Sequence, residues 1–246
     1  MLIYPIGVSD SSVEAVRILR GRNIPIIDHP SPDVTHLLLD IPSMSNELLL
    51  KNGYNLETVL SMLPPHVRIL GGNLPFLQSE QHTVTDFLKD PLYLTQNAAI
   101  TADCAIRLSG SLLNKSFGDT HILIIGYGRI GKFLAHFLMA TGATITIAAR
   151  NPHDRAVAIT LGLNAISIDQ LEQTIASYDL LFNTVPHPVL NCPIPSRCIA
   201  LELASSPGIP AENAINARGL PGKYAPLSSG KLIANTVIRF LQEEIV

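Results

Sequence analysis

The stretch HILIIGYGRIGKFLAHFLMATGATITIAARNPHDR, beginning at His121, constrains the fold more than any other part of this chain. An aliphatic run ends at Ile125, a glycine-spaced turn follows, and an amphipathic segment opens near Arg129. A second apolar run, TITIAAR, then ends on Arg150. Strand, tight turn, helix and strand in this order predict a parallel βαβ unit, because parallel neighbours need a crossover that a helix supplies.

Gly126-Tyr127-Gly128-Arg129-Ile130-Gly131 has the spacing GxGxxG. In a strand-to-helix turn each glycine has a separate task. Gly126 permits the turn, Gly128 lets backbone approach a pyrophosphate, and Gly131 allows helix and strand to pack closely. The free N–H groups of the helix that follows are a place for phosphate. The turn is therefore read as a dinucleotide site. A free ribose 2′-OH is normally met by an acid at the end of the second strand. Ala148 and Ala149 stand there, Arg150 and Asn151 follow, and Arg155 lies close behind. An arginine can meet a 2′-phosphate that a carboxylate would repel, so NADP is expected. The alternative is that Arg150 is a solvated strand-end residue.

The remaining composition narrows the class. The chain has 246 residues, of which 47% are hydrophobic and 15% charged, with a net charge of −3. That suits one large or two modest domains, and the lack of a basic block argues against a nucleic-acid partner. Cys104, Cys192 and Cys198 form no CxxC pair, which argues against a disulfide framework or a metal site. MLIYPIGVSDSS lacks a signal-peptide pattern and the apolar runs are shorter than a membrane span. A soluble, intracellular protein is expected.

Along the chain, LIYPIG, IPIIDHP, THLLLD and VRILGG read as short strands, with Ser11 or Ser12 capping the helix SVEAVRILR and NLETVLSML forming another. A helix of about five turns is expected from Asn97. HILIIG, TITIAAR, NAISI, YDLLFNT, CIALELA and NAINARGL then read as strands. The expected fold class is α/β: a doubly wound parallel-sheet Rossmann domain plus a smaller α/β, flavodoxin-like domain, joined by a long connecting helix. The boundaries follow as 1–96 for the small domain, 97–118 for the connecting helix, 119–230 for the Rossmann domain and 231–246 for a C-terminal helix.

Ligands in such sheets lie beyond the carboxyl ends of the strands. Asn183-Thr184-Val185-Pro186 ends one strand and would pass the cofactor's ribose and nicotinamide, or is simply a proline-terminated strand. His187 follows as an acid–base candidate or an exposed loop residue. Ser205-Ser206-Pro207-Gly208 offers hydroxyls and N–H groups to a carboxylate, or is a plain turn. Gly219-Leu220-Pro221-Gly222-Lys223 reads as a rigid loop, with the cations Arg218, Lys223 and Lys231 around it.

Four segments, IIGYGRIGKFLAHFLMATGATITIAAR, FNTVP, LASSPG and GLPGKYAPLSSGKLIANTV, occur in this order and at intervals that resemble the dipicolinate synthase A-subunit family. The resemblance runs from about Asn97 to the end, and NAAITADCAI is similar to the family's segment on the connecting helix. It implies an NADP-dependent oxidoreductase forming dipicolinate from a hydroxy-tetrahydrodipicolinate, in the cytoplasm of the mother cell of a sporulating bacterium. A flavoprotein-like B subunit is the implied partner, beside a small dicarboxylate substrate. Gly126, Gly128, Arg129, Ile130, Gly131, Arg150, Asn151, Thr184, Val185 and Pro186 would face the cofactor. Thr101, Ser205, Pro207, Gly208, Gly219, Leu220, Pro221, Gly222 and Lys223 would face the substrate. Asp103 stands where the family carries glutamate, and the first ~90 residues are shorter than the family's. Asp103, His187 and Lys223 are the catalytic candidates, and none has a decisive local signal. The other readings are an NADP-linked dehydrogenase of another small carboxylate and a non-catalytic cofactor-binding subunit. Homo-oligomerisation is left open.

Overall fold

The structure is a computed structural model and describes residues 1–44, 49–74, 82–210, 212 and 214–243. In chain order the elements are β1 (Ile3–Pro5), α1 (Asp10–Gly21), β2 (His36–Leu38), α2 (Leu56–Ser61), β3 (Arg68–Gly71), β4 (Val84–Asp86) and α3 (Pro91–Leu112). There follow β5 (His121–Ile125), α4 (Arg129–Met139), β6 (Thr144–Ala148), α5 (Pro152–Thr160), β7 (Asn164–Ile166), α6 (Leu171–Thr174), β8 (Leu180–Asn183), β9 (Ile199–Glu202), β10 (Ala214–Asn216), α7 (Leu220–Tyr224) and α8 (Pro226–Glu243). The chain forms two compact units, Met1–Asn97 with Pro221–Val246, and Ala98–Leu220.

In the first unit four parallel strands lie in the order β1-β2-β3-β4. IPIIDHP, expected as a full strand, contributes a single parallel bridge, Ile26 to Ile3, on the free side of β1. Pro25 has no N–H to give to a ladder, and the Asp28-His29-Pro30 turn ends the pairing. Counting that bridge as the second strand makes the order 2-1-3-4-5, the flavodoxin-like arrangement. Its core gathers Leu37, Leu39, Leu56, Val59 and Ile69, all at most 3% exposed.

The cap of α1 is Ser9, not Ser11 or Ser12: the Ser12 N–H donates to the Ser9 hydroxyl at 3.3 Å. Ser12 turns its own hydroxyl to Asp40, two residues beyond β2, at 2.5 Å. The same buried carboxylate accepts from the Ser9 hydroxyl at 2.5 Å and from the N–H groups of Val8 and Ser9 at 2.9 and 3.2 Å. A Cβ on Gly7 would come within 2.7 Å of Ser12 Cβ, so the loop closes over Asp40 only with glycine there. Burial pushes the Asp40 carboxyl up, but the hydrogen bonds from Ser12, Ser9 and Val8 outweigh it and hold it below the ordinary carboxylate value. A folded value below the unfolded one gives stability that is complete above the unfolded value, about 3.9, and lost as pH falls through the folded one. Denaturant midpoints measured against pH should therefore fall below about pH 4, and Asp40→Asn should flatten that limb. The same variant should cost about 2 kcal/mol at neutral pH. An acid limb as steep in the variant as in the wild type would contradict this role.

Helix α8 packs on α1 within this unit. A Cβ on Gly230 would lie 2.6 Å from Glu14 Cβ and 2.7 Å from the Ser11 carbonyl oxygen, so glycine sets the approach of the two helices. The helix expected over 231–246 begins at Pro226, whose ring suits a first helical position, and residues 244–246 lie outside the described residues. The Gly219–Lys223 segment, expected as a rigid loop, is largely helix: α7 runs Leu220–Tyr224, with Gly219 at φ +66° turning the chain into it. Pro221 is compatible with a first helical turn, where its missing N–H has no partner to lose.

The connecting helix, expected from residue 97, is α3 and starts at Pro91. The Asp90 carboxylate accepts from the Tyr93 N–H at 2.8 Å, and the proline after it occupies the first helical position. The chain passes from one unit to the other inside this helix, after Asn97.

In the second unit six parallel strands lie in the order β10-β9-β8-β5-β6-β7. Numbered within the unit this is 6-5-4-1-2-3, the Rossmann order. Ile122, Leu123, Ile124 and Ile125 are all 0% exposed, as a parallel strand covered on both faces requires. Leu123 and Ile125 join Leu181, Leu171, Ile175 and Ala200 in the core of one face. Among the described residues no helix is long and apolar enough to cross a membrane.

Candidate active site

The register of the second sheet sets one row of residues at its carboxyl edge. Asn216 pairs with Glu202, Glu202 with Asn183, Asn183 with Ile125, Ile125 with Ala148 and Ala148 with Ile166. Gly126, Thr184, Leu203 and Ala149 are each the next residue after this row. The glycine turn, the NTVP segment, the ASSPG segment and Arg150 therefore leave the sheet on the same edge.

The three glycines of the turn differ in what surrounds them. Gly126 has φ +94°, and a Cβ there would overlap the Thr184 hydroxyl and lie 2.8 Å from Val185 Cγ2. A Cβ on Gly131 would overlap the carbonyl oxygen of Gly126, so α4 starts hard against the turn. Around Gly128 a Cβ would meet nothing within 4 Å. No side chain caps α4, whose N-cap is Gly128 and whose first residues are Arg129, Ile130 and Gly131. The first N–H groups of a helix lack partners within it, so an open glycine beside them fits a pyrophosphate.

At the end of β6, Ala148 and Ala149 are buried and Arg150 is exposed. Arg155 donates from Nη1 to the carbonyl oxygens of Ala149 and Arg150 at 2.7 and 2.8 Å. Arg155 thus braces the turn, and the exposed Arg150 stands beside it at the end of the strand. The Asn151 side chain accepts from the His153 N–H at 2.9 Å and caps α5.

The NTVP and ASSPG segments are held by a residue outside the expected set. Glu202, 5% exposed at the end of β9, faces Asn183, 0% exposed, across the β8–β9 pair. Asn183 Nδ2 donates to Oε1 and Oε2 of Glu202 at 2.8 and 2.9 Å and to the Val185 carbonyl oxygen at 3.0 Å. Asn183 Oδ1 accepts from the Val185 N–H at 3.1 Å. Glu202 also accepts from the N–H groups of Ala204, Gly208 and Ile209 at 3.0, 2.8 and 3.3 Å. The Thr184 hydroxyl donates to the Ile125 carbonyl oxygen at 2.8 Å, which ties the same segment to the strand before the glycine turn. The one sequence signal for Glu202 is a single charge inside the apolar run CIALELA.

Of the substrate-side expectations, Ser205 and Pro207 are exposed and Gly208 is buried beneath them. Thr101 is buried on α3, Gly219 and Leu220 close the second unit, and Pro221, Gly222 and Lys223 fall in the first. Asp103 pairs with Arg107 at 3.1 Å on the exposed side of α3, His187 is exposed after Pro186, and Lys223 is exposed on α7. Burial pushes the Cys198 thiol up to about 11, which keeps it protonated and poorly nucleophilic at neutral pH.

A family model described as shikimate/quinate 5-dehydrogenase matches residues 109–192, which span the end of α3, the glycine turn and the NTVP segment. The dipicolinate synthase A-subunit of Bacillus subtilis (strain 168) is 26% identical over 238 residues, covering 87% of this chain and 80% of that protein. The chain resembles that protein over most of its length. The crystal structure of the dipicolinate synthase A-subunit from Bacillus halodurans has the same fold, with a TM-score of 0.83, 20% identity, and 98% and 97% of the two chains covered. The Bacillus subtilis crystal structure agrees, with a TM-score of 0.83, 21% identity, and 98% and 95% covered. Together these likenesses support an oxidoreductase with a nicotinamide cofactor.

Proposed function

We propose that this chain is an NADP-dependent oxidoreductase subunit that forms dipicolinate from 4-hydroxy-tetrahydrodipicolinate, acting with a flavoprotein-like B subunit in the cytoplasm of a sporulating mother cell. The observation that carries the reading is the 87% span of its likeness to the dipicolinate synthase A-subunit, and it is supported by the shared register of Ile125, Ala148 and Asn183, the strand ends that lead into the glycine turn, Arg150 and Thr184. Gly126, Gly128 and the first turn of α4 would hold the pyrophosphate, and Arg150 the 2′-phosphate. Thr184, Val185 and Pro186 would run along the nicotinamide half.

The chemistry balances as two losses from the ring. Water leaves first, as the 4-hydroxyl and a proton from the neighbouring ring carbon. A hydride and a proton leave next, which makes the ring aromatic. When bound, oxidised NADP supplies the acceptor for the hydride and becomes NADPH. The chain's own part is to hold the ring's carboxylates and exclude competing orientations. The exposed Ser205 hydroxyl would suit one carboxylate.

A panel assay separates this from an NADP-linked dehydrogenase of another small carboxylate. Freshly generated precursor should support turnover well above that of any 2-hydroxy acid, with or without the B subunit. Preferential oxidation of a 2-hydroxy acid would replace the substrate assignment. Binding of NADP with no turnover of any of them, B subunit included, would favour a non-catalytic subunit.

A further inference from the structure

We propose that Glu202 is a positioning residue for the nicotinamide side of the site, its carboxylate locking the NTVP and ASSPG segments into one rigid edge. The inference rests on the reading that this edge binds a nicotinamide dinucleotide.

Glu202 gathers four donor nitrogens, those of Asn183 Nδ2, Ala204, Gly208 and Ile209. A carboxylate is acceptor-only on both oxygens, so it satisfies all four without offering a donor in return. Three of the four belong to the backbone of the ASSPG segment and its flank. The fourth belongs to Asn183, whose amide in turn holds both the N–H and the carbonyl oxygen of Val185. One buried side chain therefore fixes two segments from adjacent strands. The turn that would hold the pyrophosphate abuts Thr184 and Val185 at Gly126, but it receives no hydrogen bond from Glu202 or Asn183 and is closed by the contact of Gly131 with the Gly126 carbonyl oxygen.

Glutamine at 202 has the same shape, but replaces one acceptor with an NH2 donor. Whichever way it turns, that NH2 faces a backbone N–H: Ala204 on one side, Gly208 and Ile209 on the other. Aspartate retracts the carboxylate by about one carbon–carbon bond, 1.5 Å, and cannot reach both segments. The expected damage is local: the nicotinamide side loosens while the adenosine side stays as it was.

That split is the test. For Glu202→Gln, calorimetric titration should show adenosine 2′,5′-bisphosphate, the adenosine half alone, binding within about twofold of wild type. Full NADP should bind about tenfold more weakly and kcat should fall about a hundredfold, the scale expected when reacting groups lose their alignment. Hydrogen exchange without any ligand should show faster exchange at the Ala204 and Gly208 amides. The Thr184 amide, bonded to the Ile125 carbonyl oxygen, should keep its wild-type rate. If Glu202→Gln does not fold, Asn183→Ala should give the same binding split, since it cuts the link from Glu202 to Val185 and leaves the bonds of Glu202 to Ala204, Gly208 and Ile209. Equal weakening of the adenosine half and the whole dinucleotide would reduce Glu202 to a scaffold residue. Unchanged NADP affinity and kcat in a folded variant would also overturn the proposal. Failure of the wild type to bind any nicotinamide dinucleotide would instead remove the underlying reading, and the proposal with it.

Discussion

Gly208→Ala is expected to abolish turnover and to destabilise the second unit by about 3 kcal/mol, the upper end for overpacking a closed site. A Cβ at that position would lie 2.5 Å from Asn183 Nδ2, 2.5 Å from the Val185 carbonyl oxygen and 2.7 Å from the His187 carbonyl oxygen. Two of the three obstructing atoms are backbone and the third is hydrogen-bonded, so none can swing away as a surface side chain would. The Gly208 carbonyl oxygen also accepts from the Val189 N–H at 2.9 Å, and its own N–H donates to Glu202 at 2.8 Å. Denaturant unfolding and steady-state kinetics on the purified variant check both parts. A variant with wild-type stability and turnover would mean that the two segments are not packed as described.

Arg150→Ala is expected to weaken NADP binding by about 10- to 100-fold while leaving NAD binding within about twofold, the range for losing a charge-assisted contact. The sign follows from the neighbours. The Arg155 guanidinium is engaged with the carbonyl oxygens of Ala149 and Arg150, so it does not replace the lost cation without releasing that turn. Isothermal titration of both cofactors against wild type and variant reads the difference. Equal NADP affinity in the two proteins would return Arg150 to the status of a solvated strand-end residue.

The strand, glycine turn and helix from His121 to Met139 were legible in the sequence because their determinants are local. Gly126, Gly128 and Gly131 lie within six residues, and the aliphatic run before them can only be a buried strand. The strand order was legible only as a class, since pairing of β5 with β8 joins segments more than fifty residues apart. What stayed hidden are the carboxylates that tie loops together. Asp40 and Glu202 stand beside short apolar runs with no local pattern that marks them as buried. In the structure both are buried, Asp40 accepting from the N–H groups of Val8 and Ser9 and Glu202 from those of the loop that follows it, while half-buried Asp86 accepts from the Asn73, Leu74 and Leu88 N–H groups. For Asp40 spacing cannot show this, because Val8 and Ser9 are brought to it only by the sheet; the backbone donors to Glu202 follow it closely in the chain, but Asn183 reaches it from the adjacent strand. The α1 cap was misplaced for the same reason: Ser12 is a sound local cap, but Asp40, 28 residues on, claims its hydroxyl. The Leu220–Tyr224 helix was taken for a loop because its Pro-Gly pair outweighs, by local rules, the helix that follows.

The ratio of NADPH to dipicolinate formed on fresh precursor decides whether the chain oxidises the dehydrated ring with NADP. Both products should be followed in one reaction, first with the chain by itself and then together with the B subunit. Removal of one hydride and one proton from the dehydrated ring requires one NADPH for each dipicolinate, and the ratio should hold at all times after mixing. Dipicolinate appearing at the uncatalysed rate without NADPH, in the presence of both proteins, would rule out NADP-linked oxidation by this chain.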